Sequence, residues 1–529
     1  MKRLPIGIQS IQKILEEGYV YVDKTAFIKK LIDEGVPSYF MSRPRRFGKS
    51  LFLSTLEEIF KGNKELFKGC AIYDSDYDWA AYPVLRFDFS QIASQNSEEF
   101  KQSLKRTIAE YAKVNHILIE TPTIQEGLKA LITQLYENRN NKVVVLIDEY
   151  DNAIINNLKN LEIAEQNRDL LKAFFATLKS LDNYLKFTFV TGVSKFSQVS
   201  LFSGPNNLKD ITMDSRYGTM MGYTQEEIQE SFQEHIHSIT KERKVSKDSV
   251  MDEMRSWYNG YRFSPAETFV YNPFSTLNYL DGKEAKPYWY SSGTPSFLID
   301  ELKKCPNVMV PLDSGTATEE ELMDISRFDA IDLMALMYQT GYFTIQGYHP
   351  ISRRYRLGLP NEEVRSALIH SLVQNFASII KIRSSEDFVK ALEKHHPECL
   401  FQHIDRGFAS FAYQVFVDAK ECTYQGMLLS MLYGMGFDPL SERATNTGRL
   451  DVVLELPSTI YILELKLDGS AAQALKQIQE QGYYKPYTHK GKHLVIIGAN
   501  FSSKDRNISD WKGMLYASSG ELLREIFPK

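Results

Sequence analysis

Two carboxylates and a lysine late in the chain, Asp451, Glu464 and Lys466, have the types and spacing for phosphodiester chemistry on a bound cation. Tyr461–Leu467 predicts a strand, on which Glu464 and Lys466 share one face while Leu463, Leu465 and Leu467 take the other. Leu450–Leu456 predicts a second strand, with Pro457-Ser458 as the turn between them, so the hairpin brings Asp451 beside Glu464. Carboxylates about 4 Å apart repel by roughly 4 kcal/mol at an effective dielectric of about 20. Such a pair shares a proton or holds a divalent cation, and hard cations such as Mg²⁺ take oxygen ligands. Lys466 then stands where it can steady an attacking water or the charge of the transition state. The plainer alternative is a surface hairpin on which Glu464 and Lys466 simply pair as ions.

A second set of residues suits phosphate. Ser38–Met41 predicts a short strand, Ser42–Ser50 a loop, and Leu51–Phe60 a helix, so Gly48-Lys49-Ser50 falls at a helix start. Free backbone N–H groups and the helix dipole favour an anion there. Lys49 would reach the β- and γ-phosphates, and the Ser50 hydroxyl would ligate Mg²⁺. The strict pattern G-x-x-x-x-G-K-[ST] has glycine where this chain has Arg43, so the opening turn of the loop is expected to differ. Arg43, Arg45 and Arg46 add positive charge, either to neutralise phosphate or to pair with nearby acids, and Arg46 is taken as a nucleotide contact.

Lys142–Asp151 supplies the acids. Its apolar run predicts a strand buried on both faces, as in parallel sheets, with Asp148 and Glu149 at the carboxyl edge where nucleotides bind. Asp148 would support the Mg²⁺ shell and Glu149 would orient water toward the γ-phosphate. Val84–Phe89 and Phe187–Gly192 predict two further strands of the same sheet.

Bulk properties narrow the class. A chain of 529 residues exceeds one ordinary hydrophobic core. Its 43% hydrophobic and 24% charged residues are those of a globular protein, and the net charge of −5 means that any nucleic acid would be met by a local basic surface. The four cysteines show no metal-like spacing and suit a reducing cytoplasm. The first residues lack a signal-peptide core, and no apolar run reaches bilayer length, so no membrane partner is expected.

The middle reads as an adaptor. Thr224–Glu227 predicts a capping box, and Asn259-Gly260 a tight turn. Asp332–Val364 predicts helix, hairpin, helix, the order of a winged-helix module, with Arg353, Arg354 and Arg356 on the wing. Those arginines either meet a phosphate backbone or solvate an exposed hairpin. His235 and His237, two apart on a helix, and the pair His395-His396 show no metal pattern, and surface positions are expected.

Beyond single motifs, residues 416–529 resemble the PD-(D/E)xK nuclease superfamily. The resemblance rests on Glu421–Gln425, Ser441-Glu442, Gly448–Asp451, Glu464–Lys466 and the Ala471–Ile478 helix. It implies that Asp451 and Glu464 are metal ligands, that Lys466 is catalytic, and that Gln477 with either Glu421 or Glu442 supports them. Residues 1–290 resemble the AAA-ATPase-like family often fused to such a domain. The shared motifs are Tyr21–Thr25, Arg43–Ser50, Ile147–Asp151, Gly222–Glu227, Trp257–Tyr261 and Tyr271–Phe274. An arginine at the Arg43 position is usual in that family. The extra strand marks the ASCE type of P-loop ATPase, with Thr191 or Ser194 as the residue that senses the γ-phosphate.

These readings combine into one expectation of an α/β protein. Residues 1–222 form a P-loop NTPase with a parallel sheet and flanking helices, and 223–375 a helical, winged-helix-like adaptor. Linker helices follow over 376–415, and 416–529 form an α/β domain like the restriction endonucleases. The cofactors expected are ATP and Mg²⁺, the partner is nucleic acid, with DNA favoured, and the location is cytoplasmic. Arg216 could serve a neighbouring copy if the protein forms a homo-oligomer. The competing expectation is a nucleotide-dependent switch or scaffold that binds nucleic acid or protein without cutting.

Overall fold

A computed structural model describes residues 1–119, 123–195, 208–291, 315–323, 332–368, 385–410, 421–434, 437, 439–445 and 448–528. The chain divides into two compact units, Met1–Leu298 with Asp313–Arg365, and Ile299–Leu312 with Ser366–Lys529.

The apolar runs of the first unit become β1 (Ser38–Ser42), β2 (Val84–Asp88), β3 (Val143–Asp148), β4 (Leu185–Gly192) and β5 (Leu208–Asp210). They form a wholly parallel sheet in the order β2-β3-β4-β1-β5, with β3 buried at every position. β4 thus separates the strand before the phosphate loop from the strand that carries the acids, the ASCE arrangement. Helices Ser97–Val114, Ile124–Arg139 and Leu161–Ser180 begin at Asn96, Thr123 and Asn160, whose side chains accept first-turn N–H groups.

In the middle region Thr224 and Glu227 close a reciprocal capping box, and Lys24 also pairs with Glu227. Two local expectations are corrected. Asn259 is the C-cap of helix Lys247–Tyr258 rather than the start of a hairpin turn, and Gly260 follows at φ +97° against the Pro360 backbone. His235 is buried, not superficial, because its helix turns that face toward the N-terminal segment, where the ring meets the Lys2 carbonyl at 3.0 Å.

Asp332 caps helix Leu333–Thr340, which ends at Gly341. A three-stranded sheet combines β6 (Gly315–Ala317), β7 (Thr344–His349) and β8 (Arg354–Gly358) in the order β6-β8-β7, and a helix follows over 362–368. Arg354 stays partly exposed on this module, donating to the Thr316 carbonyl and pairing with Glu321 at 3.1 Å.

Glu363 is buried in this helix, accepting from Ser275 Oγ at 2.8 Å and from the Trp289 N–H at 2.7 Å. Burial raises its pKa from 4.5 to about 8, against the hydrogen bonds it accepts. Between those values the folded chain keeps a proton that the unfolded chain releases, so the folded state loses stability as pH rises through the window. Thermal melts at about pH 6 and about pH 9 should therefore show a smaller drop for Glu363→Gln, which cannot ionise, than for the wild type. Equal drops would contradict the burial.

In the second unit β9 (Leu440–Thr445), β10 (Gly448–Glu455), β11 (Thr459–Leu467), β12 (His493–Ser502), β13 (Asn507–Tyr516) and β14 (Leu522–Ile526) pair in sequence order. Only β11 and β12 run parallel, so the chain must cross over between them, and helix Ala471–Gln481 does so. β11 is buried on both faces. Tyr461, Leu463 and Leu465 join the core of helices Glu398–Ser410 and Glu421–Gly434. Ile460 and Ile462 pack with Leu475 and Ile478 of the crossover helix. Glu464 and Lys466 continue that second face, as the alternation predicted.

Candidate active sites

The phosphate loop leaves β1 at Ser42, and Gly48 caps helix Lys49–Phe60 at φ +89°. The other left-handed residue of the loop is Arg46, at φ +68°, and Arg43 itself has no positive φ. Arg43 turns away from the site. Its guanidinium is buried, donating to the carbonyls of Ser42, Thr212 and Tyr217 and lying 4.3 Å over the Phe263 ring. Burial lowers its pKa to about 10, which still leaves it charged at neutral pH. In place of glycine, the loop opens on an internal strut.

A cavity of about 440 Å³ opens at the helix start, within the range that holds nucleotide-sized ligands. Arg46, Lys49, Ser50 and Glu149 line it, together with Gln9, Tyr223 and Phe274. Arg46 is exposed, its guanidinium 4.8 Å over the Phe274 ring. Lys49 folds back over the loop and donates to the carbonyls of Arg43 and Pro44, both at 3.0 Å. Its burial lowers the ammonium pKa, and Glu149, Asp148 and Asp151 oppose that shift.

Asp148 and Thr191 do not line the cavity; they are buried at the ends of β3 and β4. Burial raises the Asp148 pKa, opposed first by a hydrogen bond from Ser50. Asp148 Oδ1 is buried without a hydrogen-bond partner, an orphaned oxygen beside the Ser50 hydroxyl that fits a Mg²⁺-bound nucleotide. Of the two candidate sensors, Ser194 donates its hydroxyl to Asp151 at 2.7 Å, whereas Thr191 Oγ1 is buried and unpartnered.

Two contributors escaped the sequence reading. The Asp151 carboxylate also accepts the N–H groups of Val193 and Ser194, tying the end of β3 to that of β4. Arg86 on β2 donates to the Ser50 carbonyl and pairs with Glu57, clamping the first turns of the loop helix. Their only signal was a charged residue at a strand end or inside a strand. Arg216 is engaged within its own chain, with Asp214 at 2.5 Å and Glu34 at 2.8 Å.

The second site forms at the end of β11. Glu464 is buried there; Gln477 donates to its Oε1, and Lys466 Nζ stands 3.6 Å from the same oxygen. Gln477 reaches it from the second turn of the crossover helix, whose N-cap Ser470 follows β11 closely. Glu421, first residue of helix Glu421–Gly434, lies 4.0 Å from Lys466 Nζ and accepts the Leu467 N–H at 3.1 Å. Of the two acids left open by the sequence, Glu421 meets the lysine. The side chains of Glu442 and Asp451 lie outside the described residues. The backbone of Asp451 precedes Val452, which pairs with Leu463, so its register position is opposite Glu464.

Asn500, on β12 opposite Lys466, is a further contributor that sequence reasoning missed. Its oxygen accepts the Gly469 N–H and its amide donates to Ser509 Oγ, both at 2.8 Å, which pins the turn leaving Lys466. A polar residue inside the apolar run His493–Ser502 was the signal. Among the described residues no cluster of three acidic, histidine or cysteine side chains forms a metal cage. Glu464 has carboxylate oxygens of the kind a hard cation takes, and Glu421 meets the same lysine that Glu464 does.

A parallel sheet with a phosphate loop, and a mixed sheet with an interior Glu-x-Lys strand, define a class of P-loop domain fused to a nuclease-like fold. Residues 5–202 match the family described as "Predicted AAA-ATPase" (AAA-ATPase-like), and residues 419–511 match the PD-(D/E)XK nuclease superfamily. The whole chain is similar to the "Uncharacterized protein in vnfD 5'region" of Azotobacter chroococcum mcd 1. The two are 37% identical over 529 aligned positions, which cover 96% of this chain and 98% of that protein. The chain belongs to this family of AAA-ATPase-like proteins carrying a C-terminal PD-(D/E)XK domain. Among the described residues no helix is long and apolar enough to cross a membrane.

Proposed function

We propose that this protein binds ATP and cleaves nucleic acid, DNA foremost, in a metal-dependent reaction that nucleotide occupancy regulates. The observation that carries the reading is the meeting of Glu464, Lys466, Gln477 and Glu421 at the end of one buried strand. Nothing in the packing of a surface hairpin requires a buried glutamate, an amide and a lysine to converge in this way. Glu464 and Asp451 would hold Mg²⁺, with Gln477 fixing the Glu464 carboxylate. Bound there, the ion would polarise the phosphoryl oxygen and lower the pKa of an attacking water. Lys466 stabilises the developing negative charge or positions that water.

In the first unit Lys49 and Arg46 would contact the nucleotide phosphates, and Ser50 and Asp148 would complete the Mg²⁺ shell. Glu149 and Thr191 would orient water at the γ-phosphate. We assign nucleotide binding to residues 1–222, an adaptor role to 223–375, linker helices to 376–415 and cleavage to 416–529.

The test is direct. Purified full-length protein is incubated with single- and double-stranded DNA and RNA, with Mg²⁺ or Mn²⁺, and with or without ATP. Cleavage that requires the metal and changes in rate with ATP is expected. Intact nucleotide binding with no cleavage of any polymer would leave the non-cleaving switch as the function.

A further inference from the structure

Trp289 is buried between the phosphate loop and the helix at 362–368. Its indole N–H donates to the Arg45 carbonyl at 3.1 Å, and its backbone N–H donates to Glu363 Oε1 at 2.7 Å. The same Glu363 oxygen accepts from Ser275, on helix Pro273–Gly282, which also carries the cavity residues Phe274 and Leu277. Packing backs these bonds. The Trp289 and Tyr342 ring centroids are 5.1 Å apart, and a Cβ added to Gly341 would come within 2.7 Å of Pro44 in the loop. Gly341 holds φ +90°, so this close approach rests on a position that favours glycine.

Lys49 spends two of its three ammonium hydrogens on the Arg43 and Pro44 carbonyls, and a nucleotide phosphate competes for that same ammonium. Drawing Lys49 toward phosphate releases two carbonyls immediately before Arg45, the residue Trp289 holds. The helix at 362–368 in turn spans Arg365 and Ser366, where the chain passes from the first compact unit to the second.

We propose that Trp289 and Glu363 form a relay that reports phosphate-loop occupancy to the 362–368 helix. The relay rests on the nucleotide reading above and names the route by which that site regulates the rest of the chain. Each step is one buried hydrogen bond whose partner moves with the loop, so the helix and the loop share a two-state equilibrium.

The test is hydrogen–deuterium exchange on the full-length chain, without nucleotide and with saturating Mg²⁺ and ATP, read in peptides covering 359–368. The wild type should change exchange there by about fivefold, the equilibrium weight of one buried hydrogen bond. Trp289→Phe keeps the ring beside Tyr342 but has no indole N–H; it should still bind ATP and lose most of the change. Glu363→Gln keeps an oxygen acceptor for Trp289 and Ser275 and should retain the change. A wild type that binds ATP with 359–368 unaltered overturns the relay alone, as does Trp289→Phe with the full wild-type change. A wild type that binds no nucleotide overturns the phosphate-loop reading together with the relay.

Discussion

Full-length protein carrying Glu464→Gln is expected to lose metal-dependent cleavage by about three orders of magnitude, the several kcal/mol that a positioned cation contributes to a phosphoryl transition state. The substitution keeps the length of the side chain and an oxygen for Gln477 to donate to, so the end of β11 should stay in place. It removes the charge that would bind the cation and that faces Lys466 at 3.6 Å. Nucleotide affinity should be unchanged, because Glu464 belongs to the second compact unit and the phosphate loop to the first. The measurements are cleavage of labelled duplex in Mg²⁺ and calorimetric titration of ATP. A variant that cuts as fast as the wild type would remove the catalytic assignment of the Glu464 site.

The second large effect is expected at Lys49. Lys49→Ala should weaken ATP binding by roughly ten- to a hundredfold, since a hydrogen bond from a charged donor contributes about 1.5–3 kcal/mol. The loss arises because the ammonium no longer meets the phosphates, and it is reduced in part because the Arg43 and Pro44 carbonyls no longer compete for that group. Cleavage by this variant should become indifferent to ATP while persisting without it. Undiminished affinity in the titration would show that the Gly48-Lys49-Ser50 helix start is not the nucleotide site.

The two sites differ in how finished they are. At the phosphate loop the polar groups are committed to one another, with Lys49 on its own loop and Asp151 on β4. Asp148 Oδ1 and Thr191 Oγ1 stand buried and unpartnered there. On the proposed reading, nucleotide would displace those internal bonds, which gives the site something to report. At the end of β11, by contrast, Glu464, Gln477 and Lys466 already stand within reach of one another.

Most of the elements were legible in the residues because the forces that set them are local. The alternation in Tyr461–Leu467 places Glu464 and Lys466 on one face whatever packs there, and Pro457-Ser458 closes the hairpin with the Leu456 N–H donating to Thr459. The capping box at Thr224 and the helix start at Gly48 are likewise settled within a few residues. Tertiary structure alone decided which distant groups those elements meet. Arg43 could have faced phosphate; it is instead held by the Thr212 carbonyl, 169 positions away, because carbonyls in the buried turn after β5 need a donor. The meeting of Glu421 with Lys466, the freedom of Thr191 relative to Ser194, and the Asn500 brace rest on the same kind of contact. Hydrophobic period and capping act over a turn or two of chain, whereas the partners of a buried polar group are chosen by the whole sheet order. That order has no local signature.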